Sequence, residues 1–335
     1  MIVARRELCV GAPLALLFAA AFFVVVAKPA AAQLDYPSRA VTIVAPAAPG
    51  GLYSLFARLI GSKLEQRLGK PFIIENRPGA SSIVGAMSVI RAPHDGYTLM
   101  VANNTGLAVN ATLIKNLPYD PLKDLVSVAL IARIPEVLVV NAALPVNSLA
   151  DLTRLGKATA GGLSYGSPGA GTGPHLSGVL LASVLDVPFT HVPYKGMSPA
   201  INDIAGGHIS FMFSPIPFAL PLAQAGKLRM LGVTTAERVE AITEVAPLRE
   251  IGLKAFDVVS WFMLVAPAGT PSDIIGKLYR EVGAIISDPE VRAEFTKLGL
   301  LPAQSPPPEE LKRFVAAEIT RWGDIVKKAG LMGSQ

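Results

Sequence analysis

The chain of 335 residues has a single cysteine, Cys9. It lies in the N-terminal apolar segment, so everything after it has no disulfide and no thiolate metal ligand. A body of about 300 residues holds together on its core without such staples. The histidines are few and scattered: His94, His175, His191 and His208 have no H-x-x-x-H or H-E-x-x-H spacing and no carboxylate cluster beside them. No metal site is expected from that pattern. No run of Lys or Arg exists to grip a phosphate backbone, and part of the formal net charge of +5 sits on Arg5, Arg6 and Lys28 at the N-terminus. Nucleic acid is therefore excluded as a partner. There is no G-x-G-x-x-G after an N-terminal strand and no P-loop lysine, so no nucleotide cofactor is expected, nor any other cofactor. After the N-terminal run, no apolar stretch is long enough to span a membrane.

What is present begins with an address. Arg5 and Arg6 precede an apolar run from Leu8 to Ala27, and Ala30-Ala31-Ala32 then stands before Gln33. That order matches a secretory signal peptide over residues 1–32, with cleavage before Gln33. An uncleaved membrane anchor is the other reading of the run, and the small-residue site argues against it. The mature chain is expected in the periplasm.

Beyond the signal, strands alternate with helices. Val41–Ala45 is β-branched, and Leu55, Phe56, Leu59, Ile60, Leu64 and Leu68 follow as one apolar helical stripe that Gly69 and Pro71 end. Phe72–Glu75 and Tyr97–Val101 read as further strands, with a helix from about Ile83 to Arg91 between them. This rhythm implies a parallel α/β sheet covered by helices. Val137–Val140 then opens a central block, and Trp261–Val265 closes it before the C-terminal helices. The expected organisation is a discontinuous first domain, residues 33–136 with 260–335, and an inserted second domain, residues 137–259. A cleft between two such domains is a favoured ligand position.

Three glycine-rich turns share one design. Pro46–Gly51, Arg77–Ser82 and Ser167–Gly173 each follow a strand and precede a helix. Glycine lets backbone approach a ligand closely, and helix N-termini offer unpaired N–H groups and partial positive charge. Together the turns could bind carboxylate oxygens without Arg or Lys; singly, each could be a tight connection and nothing more. A competing signal lies immediately before the third stretch. Gly162-Leu-Ser164-Tyr-Gly166 fits the G-x-S-x-G of a serine hydrolase, with Asp186 or Asp203 and His191 or His208 available for a triad. A nucleophile elbow needs a hydrophobic strand ending at its serine, and Lys157–Gly162 is a poor strand. His175 starts the helix after the third turn, where lining the cleft and packing the helix are both open to it.

Seven short stretches in order resemble the Bug extracytoplasmic solute receptors that serve tripartite tricarboxylate transporters. They are Tyr36–Arg39, Ala48–Gly51, Glu75–Ala80, Asp95–Leu99, Leu117–Pro121, His191–Gly196 and Ala266–Pro271. The resemblance implies a two-domain periplasmic binding protein of type II, a receptor rather than an enzyme, with a small organic acid between its domains. It implies contacts from Gly50, Gly51, Leu52, Tyr53 and Ser54 and from Gly79, Ala80, Ser81 and Ser82. Gly166, Ser167, Gly169, Ala170, Gly171 and Thr172 would close from the other domain, and Asn103, His175 and Ser214 complete the candidate set. The chain departs from the family where Leu52-Tyr53-Ser54 replaces small polar and acidic residues, and where Ser81-Ser82 replaces a glycine pair. Leu52 and Tyr53 either wall the ligand or face into the domain. A monomer handing its ligand to membrane transporter subunits is the implied arrangement; a receptor feeding a membrane sensor needs the same closing domains.

Overall fold

The computed structural model describes residues 35–335 except Ala255, together with Ile2; the rest of the expected signal peptide, residues 1–32, lies outside the described residues. The strands are β1 (Val41–Ala45), β2 (Phe72–Asn76), β3 (Thr98–Asn103), β4 (Leu125–Ile134), β5 (Glu136–Asn141), β6 (Leu163–Ser167), β7 (Phe189–Pro193), β8 (Phe211–Pro215), β9 (Leu228–Val233), β10 (Ser260–Pro267) and β11 (Leu301–Pro302). The helices are α1 (Leu52–Leu68), α2 (Ile83–Ile90), α3 (Asn110–Leu113), α4 (Leu149–Ala158), α5 (Gly173–Leu185), α6 (Met197–Ala205), α7 (Ile216–Gln224), α8 (Ser272–Ser287), α9 (Pro289–Lys297) and α10 (Pro308–Lys328).

The strands form two sheets, ordered β11-β4-β10-β3-β1-β2 and β7-β6-β8-β5-β9. Each is mixed rather than wholly parallel. β1 pairs parallel with β2 and β3, but β10 lies antiparallel between β3 and β4. The reason is the route of the chain: β10 re-enters the first sheet from the second lobe, opposite to the βαβ strands. In the second sheet β6 runs parallel to β7 and β8, while β5 runs antiparallel to β8 and β9.

The α1 stripe does what its spacing requires. Phe56, Ile60 and Leu64 are fully buried against β1 and β10 residues such as Ile43 and Leu264. Gly69 ends the helix in the left-handed conformation, its N–H returning to Glu65 O at 2.8 Å. On the other face of the first sheet, α10 inserts Leu311, Val315, Trp322 and Val326 into a core that continues into the second lobe through Leu138, Leu176 and Phe213. Glu318 on α10 accepts the indole N–H of both Trp261 and Trp322, at 2.6 and 2.8 Å.

The lobes are joined by two adjacent chain crossings. Pro135 alone separates β4 from β5. The return path bonds to the outgoing one: Thr234 N–H donates to Glu136 O at 2.9 Å, and Val258 N–H to Thr234 O at 3.2 Å. Ser260, at the start of β10, pairs with Ile134.

Candidate ligand cleft

A cavity of about 690 Å3 lies between the lobes, at the carboxyl ends of the strands. Its first wall belongs to the lobe of β1–β3. After β2 the backbone enters an unusual turn: Gly79 has φ 137°, and Ala80, Ser81 and Ser82 follow at φ 44°, 50° and 76°. Non-glycine residues in this region cost about 1–2 kcal/mol each, and such strain gathers where a site needs a fixed backbone shape. Asn110 Nδ2 holds the turn by donating to Ser81 O at 2.9 Å. The residues of the turn line the cavity, where the first amides of a helical segment lack helical partners.

Tyr53 answers the question its sequence position raised. Its hydroxyl donates to Asn103 Oδ1 at 2.5 Å and lies 3.1 Å from Ser82 Oγ. Its ring stands edge-on to Phe262, with centroids 4.9 Å apart, and both residues line the cavity. Burial pushes the phenol above its ordinary range, so it stays a neutral donor. Asn103 Oδ1 also accepts from Thr105 N–H at 3.0 Å. That fixes the amide orientation and turns Nδ2, which has no protein partner among the described residues, into the donor left for a ligand. Leu52 touches the cavity edge but is buried in the core of the first lobe.

The facing wall is the loop after β6, through Pro168, Gly169, Ala170 and Thr172. Side chains tie it down from beneath. Ser167 Oγ lies 2.7 Å from His191 Nε2 and accepts from Gly169 N–H at 3.2 Å. His175 Nδ1 accepts from Gly171 N–H at 3.0 Å, and the His175 and His191 rings stack with centroids 4.0 Å apart. Burial lowers both imidazoles to about 4, and His191 adds to the shift at His175. They are neutral at physiological pH, as the acceptor role of His175 requires. Thr105 Oγ1 of the first lobe donates to Gly171 O at 3.3 Å, joining the walls.

Of the residues singled out in the sequence, the cavity therefore gathers Gly51, Leu52, Tyr53, Gly79, Ala80, Ser81, Ser82, Asn103, Gly169, Ala170 and Thr172. Others lie elsewhere. Gly50 borders a separate groove along α1 with Arg58 and Lys63. Ser54 is buried and bonded to Asn76 Nδ2 at 2.8 Å. Gly166 packs on Ile209, and Ser167, Gly171 and His175 support the third loop from below. Ser214 is buried, donating to Pro215 O at 3.0 Å. Ser164 is the second residue of β6, its Oγ accepting from Ser210 N–H at 3.3 Å, so the G-x-S-x-G stretch makes no strand-end elbow.

Several contributors were not singled out as ligand contacts, Ile134, Phe218 and Phe262 among them. The turn Tyr194-Lys195-Gly196 after β7 lines the cavity, and its strand-to-helix position was the available signal. Glu136 lines it as well, at 1 % exposure. Its signal was an acidic residue between Pro135 and the apolar run of β5. Among the described residues no group of His, Asp and Glu is arranged to hold a metal ion.

Comparison with known proteins agrees with this geometry. Rpa4515 of R. palustris, solved with adipate, superposes with a TM-score of 0.85 at 36% identity, covering 88% of this chain and 99% of that one. MatC of Rhodopseudomonas palustris, solved with bound malate, gives 0.81 at 34% identity, covering 87% of this chain and 100% of that one. BugT of Bordetella pertussis is 31% identical over 306 residues, 91% of this chain and 93% of its own. The fold is thus the two-domain α/β fold of periplasmic binding proteins, with the cleft between the domains. The profile of the tripartite tricarboxylate transporter family receptors matches residues 56–331, and the chain belongs to that family.

Proposed function

We propose that this receptor is exported to the periplasm, captures a small organic acid with an apolar middle, and delivers it as a monomer to the membrane subunits of its transporter. The observation that carries this reading is the pairing of a polar, backbone-rich end with apolar walls. Gly79–Ser82 and Asn103 Nδ2 offer N–H groups to one carboxylate, while Tyr53, Ile134, Phe218 and Phe262 line the space beyond. Lys195 is exposed where it borders the cavity and is placed to meet a second carboxylate. The adipate found with Rpa4515 has this character more than the malate found with MatC. Closure is a rotation of residues 137–259 against residues 33–136 with 260–335, about the crossings at Pro135 and Ser260. No covalent step and no cofactor enters.

The test is a thermal-shift panel on protein recovered from the periplasmic fraction. Adipate and dicarboxylates of graded length, malate, citrate, acidic amino acids and aromatic acids are compared. A ligand at 100 times its Kd adds about 2.7 kcal/mol to the folded state. The expected hit is a dicarboxylate of adipate length, with malate weaker. Equal shifts from malate and adipate would remove the role given to the apolar walls, and no shift from any acid would remove the receptor reading.

A further inference from the structure

Glu136 stands at the hinge, lines the cleft, and has no cation beside it among the described residues. Its Oε2 accepts from Ser177 Oγ of α5 at 2.8 Å, and its Oε1 from Ser260 Oγ of β10 at 3.2 Å. Its carboxyl therefore bonds to both lobes. The fit is tight: a Cβ on Gly173 would fall 2.3 Å from both Glu136 Oε1 and Ser260 Oγ. The elements packed on it bring no counter-charge. β8 and α7 carry no titratable side chain; Arg229 of β9 pairs with Val140, at the far end of β5; and Asp203 of α6 accepts from Tyr194 OH. On α5, His175 Nδ1 is engaged by Gly171 N–H. Among the described residues lining the cavity, Lys195 is the only other acidic or basic side chain, and it is exposed.

We propose that Glu136 carries a proton whenever an anionic solute occupies the cleft, so that capture of a carboxylate is coupled to uptake of one proton at the hinge. This rests on the carboxylate-receptor reading above. Two carboxylates brought into one site of lowered dielectric repel each other, which favours a proton on one of them when no cation lies between. The partners of Glu136 are suited to either state, because a hydroxyl can donate or accept. With a proton on Oε1 or Oε2, the acid donates to one serine and still accepts from the other, and no heavy atom moves. Burial already raises the Glu136 carboxyl to about 7, against the pull of its serine hydrogen bonds. A bound anion raises it further, and that increment is the coupling.

The experiment has a ligand-free arm and an adipate arm, each on wild type and Glu136→Gln. In the first, urea unfolding is followed from pH 4.5 to 8.5, and the wild-type-minus-E136Q difference is taken. A raised carboxyl binds its proton more tightly folded than unfolded, so that difference should decline between pH 4.5 and about 7 and then level off. In the second arm, calorimetry of adipate binding is run in buffers of different ionisation enthalpy. About one proton should be taken up per adipate at pH 8.5 and about none at pH 5.5, with affinity falling about tenfold per pH unit above 7. E136Q should bind adipate with no proton uptake and no such pH slope, which a merely structural glutamate would not produce. A flat difference curve, or adipate binding without proton uptake at pH 8.5, overturns the proposal. If neither adipate nor any acid of the panel binds, the receptor reading falls and takes the coupling with it. A slope in the ligand-free arm would still mark Glu136 as protonated, which tells the two failures apart.

Discussion

The first lobe meets the cleft with bare backbone in a left-handed turn, whereas the second meets it with a loop fastened by side chains below. Between Gly79 and Ser82 the only side-chain bonds holding the turn among the described residues come from Asn110 and Tyr53. Under the loop from Pro168 to Thr172 lie Ser167, His175 and His191, stacked and hydrogen-bonded in a chain. The first wall stores strain in order to present amides. The second stores desolvated imidazoles in order to hold a shape. The two should therefore fail under different insults: the turn when a side chain is added, the loop when a proton is added.

The largest effect is expected from protons on the second wall. Both histidines have folded values near 4 against an ordinary 6.5. Their contribution is fully present above pH 6.5 and is lost as pH falls toward 4. Each histidine that charges only on unfolding gives a slope of about 1.4 kcal/mol per pH unit, and the stacked pair titrates as a unit. Urea unfolding between pH 7 and 4 should show this acid limb, and His191→Gln should flatten part of it. An unchanged limb in His191→Gln would mean that the loop's fastening is not the imidazole pair. Glu136 acts in the opposite direction over the overlapping window, so the cleanest comparison is made in the E136Q background.

Next comes the added side chain on the first wall. Gly79 combines φ 137° with a Cβ position 2.8 Å from Val84 Cγ2. Gly79→Val would have to abandon the turn, at a cost of about 2–3 kcal/mol taken mainly from binding, roughly a 50-fold loss of affinity. The thermal-shift titration with adipate reads this directly. A variant that bound normally would show that the backbone of this turn does not touch the ligand.

Much of this contrast was legible in the sequence, though unevenly. Strand–glycine turn–helix placed all three loops at one end of the sheets, because a β-branched run, a Pro/Gly break and an apolar stripe each have a local physical cause. The βαβ rhythm also led to a parallel sheet, which β10 breaks: nothing within Ser260–Pro267 says from which direction its chain arrives. Side-chain destinations were less visible. Ser54 and Tyr53 are neighbours, yet one is buried against Asn76 and the other faces the cleft, since helix geometry turns successive residues by about 100°. His175 and Ser167 turned beneath the loop because His191, distant in sequence, offers them a stack and a hydrogen bond. Glu136 was hidden for the same reason: its meaning depends on Ser177 and Ser260, which only the fold brings to it.

The smallest effect should come from the link between the strained turn and the third strand. Tyr53→Phe keeps the ring against Phe262 but removes the hydroxyl that spans Ser82 Oγ and Asn103 Oδ1. Asn103 Oδ1 retains the amides of Thr105 and Gly106, so its Nδ2 should still point at the ligand. Ser82 loses its only side-chain partner among the described residues, and the turn becomes freer to leave its left-handed shape. One neutral hydrogen bond is worth about 1 kcal/mol, so a roughly fivefold loss of adipate affinity is expected, with unfolding stability changed by less than about 1 kcal/mol. Equal losses in binding and stability would place the hydroxyl's role in the fold of the lobe. A binding loss alone would show that the phenol works by holding the turn in the shape the ligand meets, and so that even the bare-backbone wall depends on one side chain.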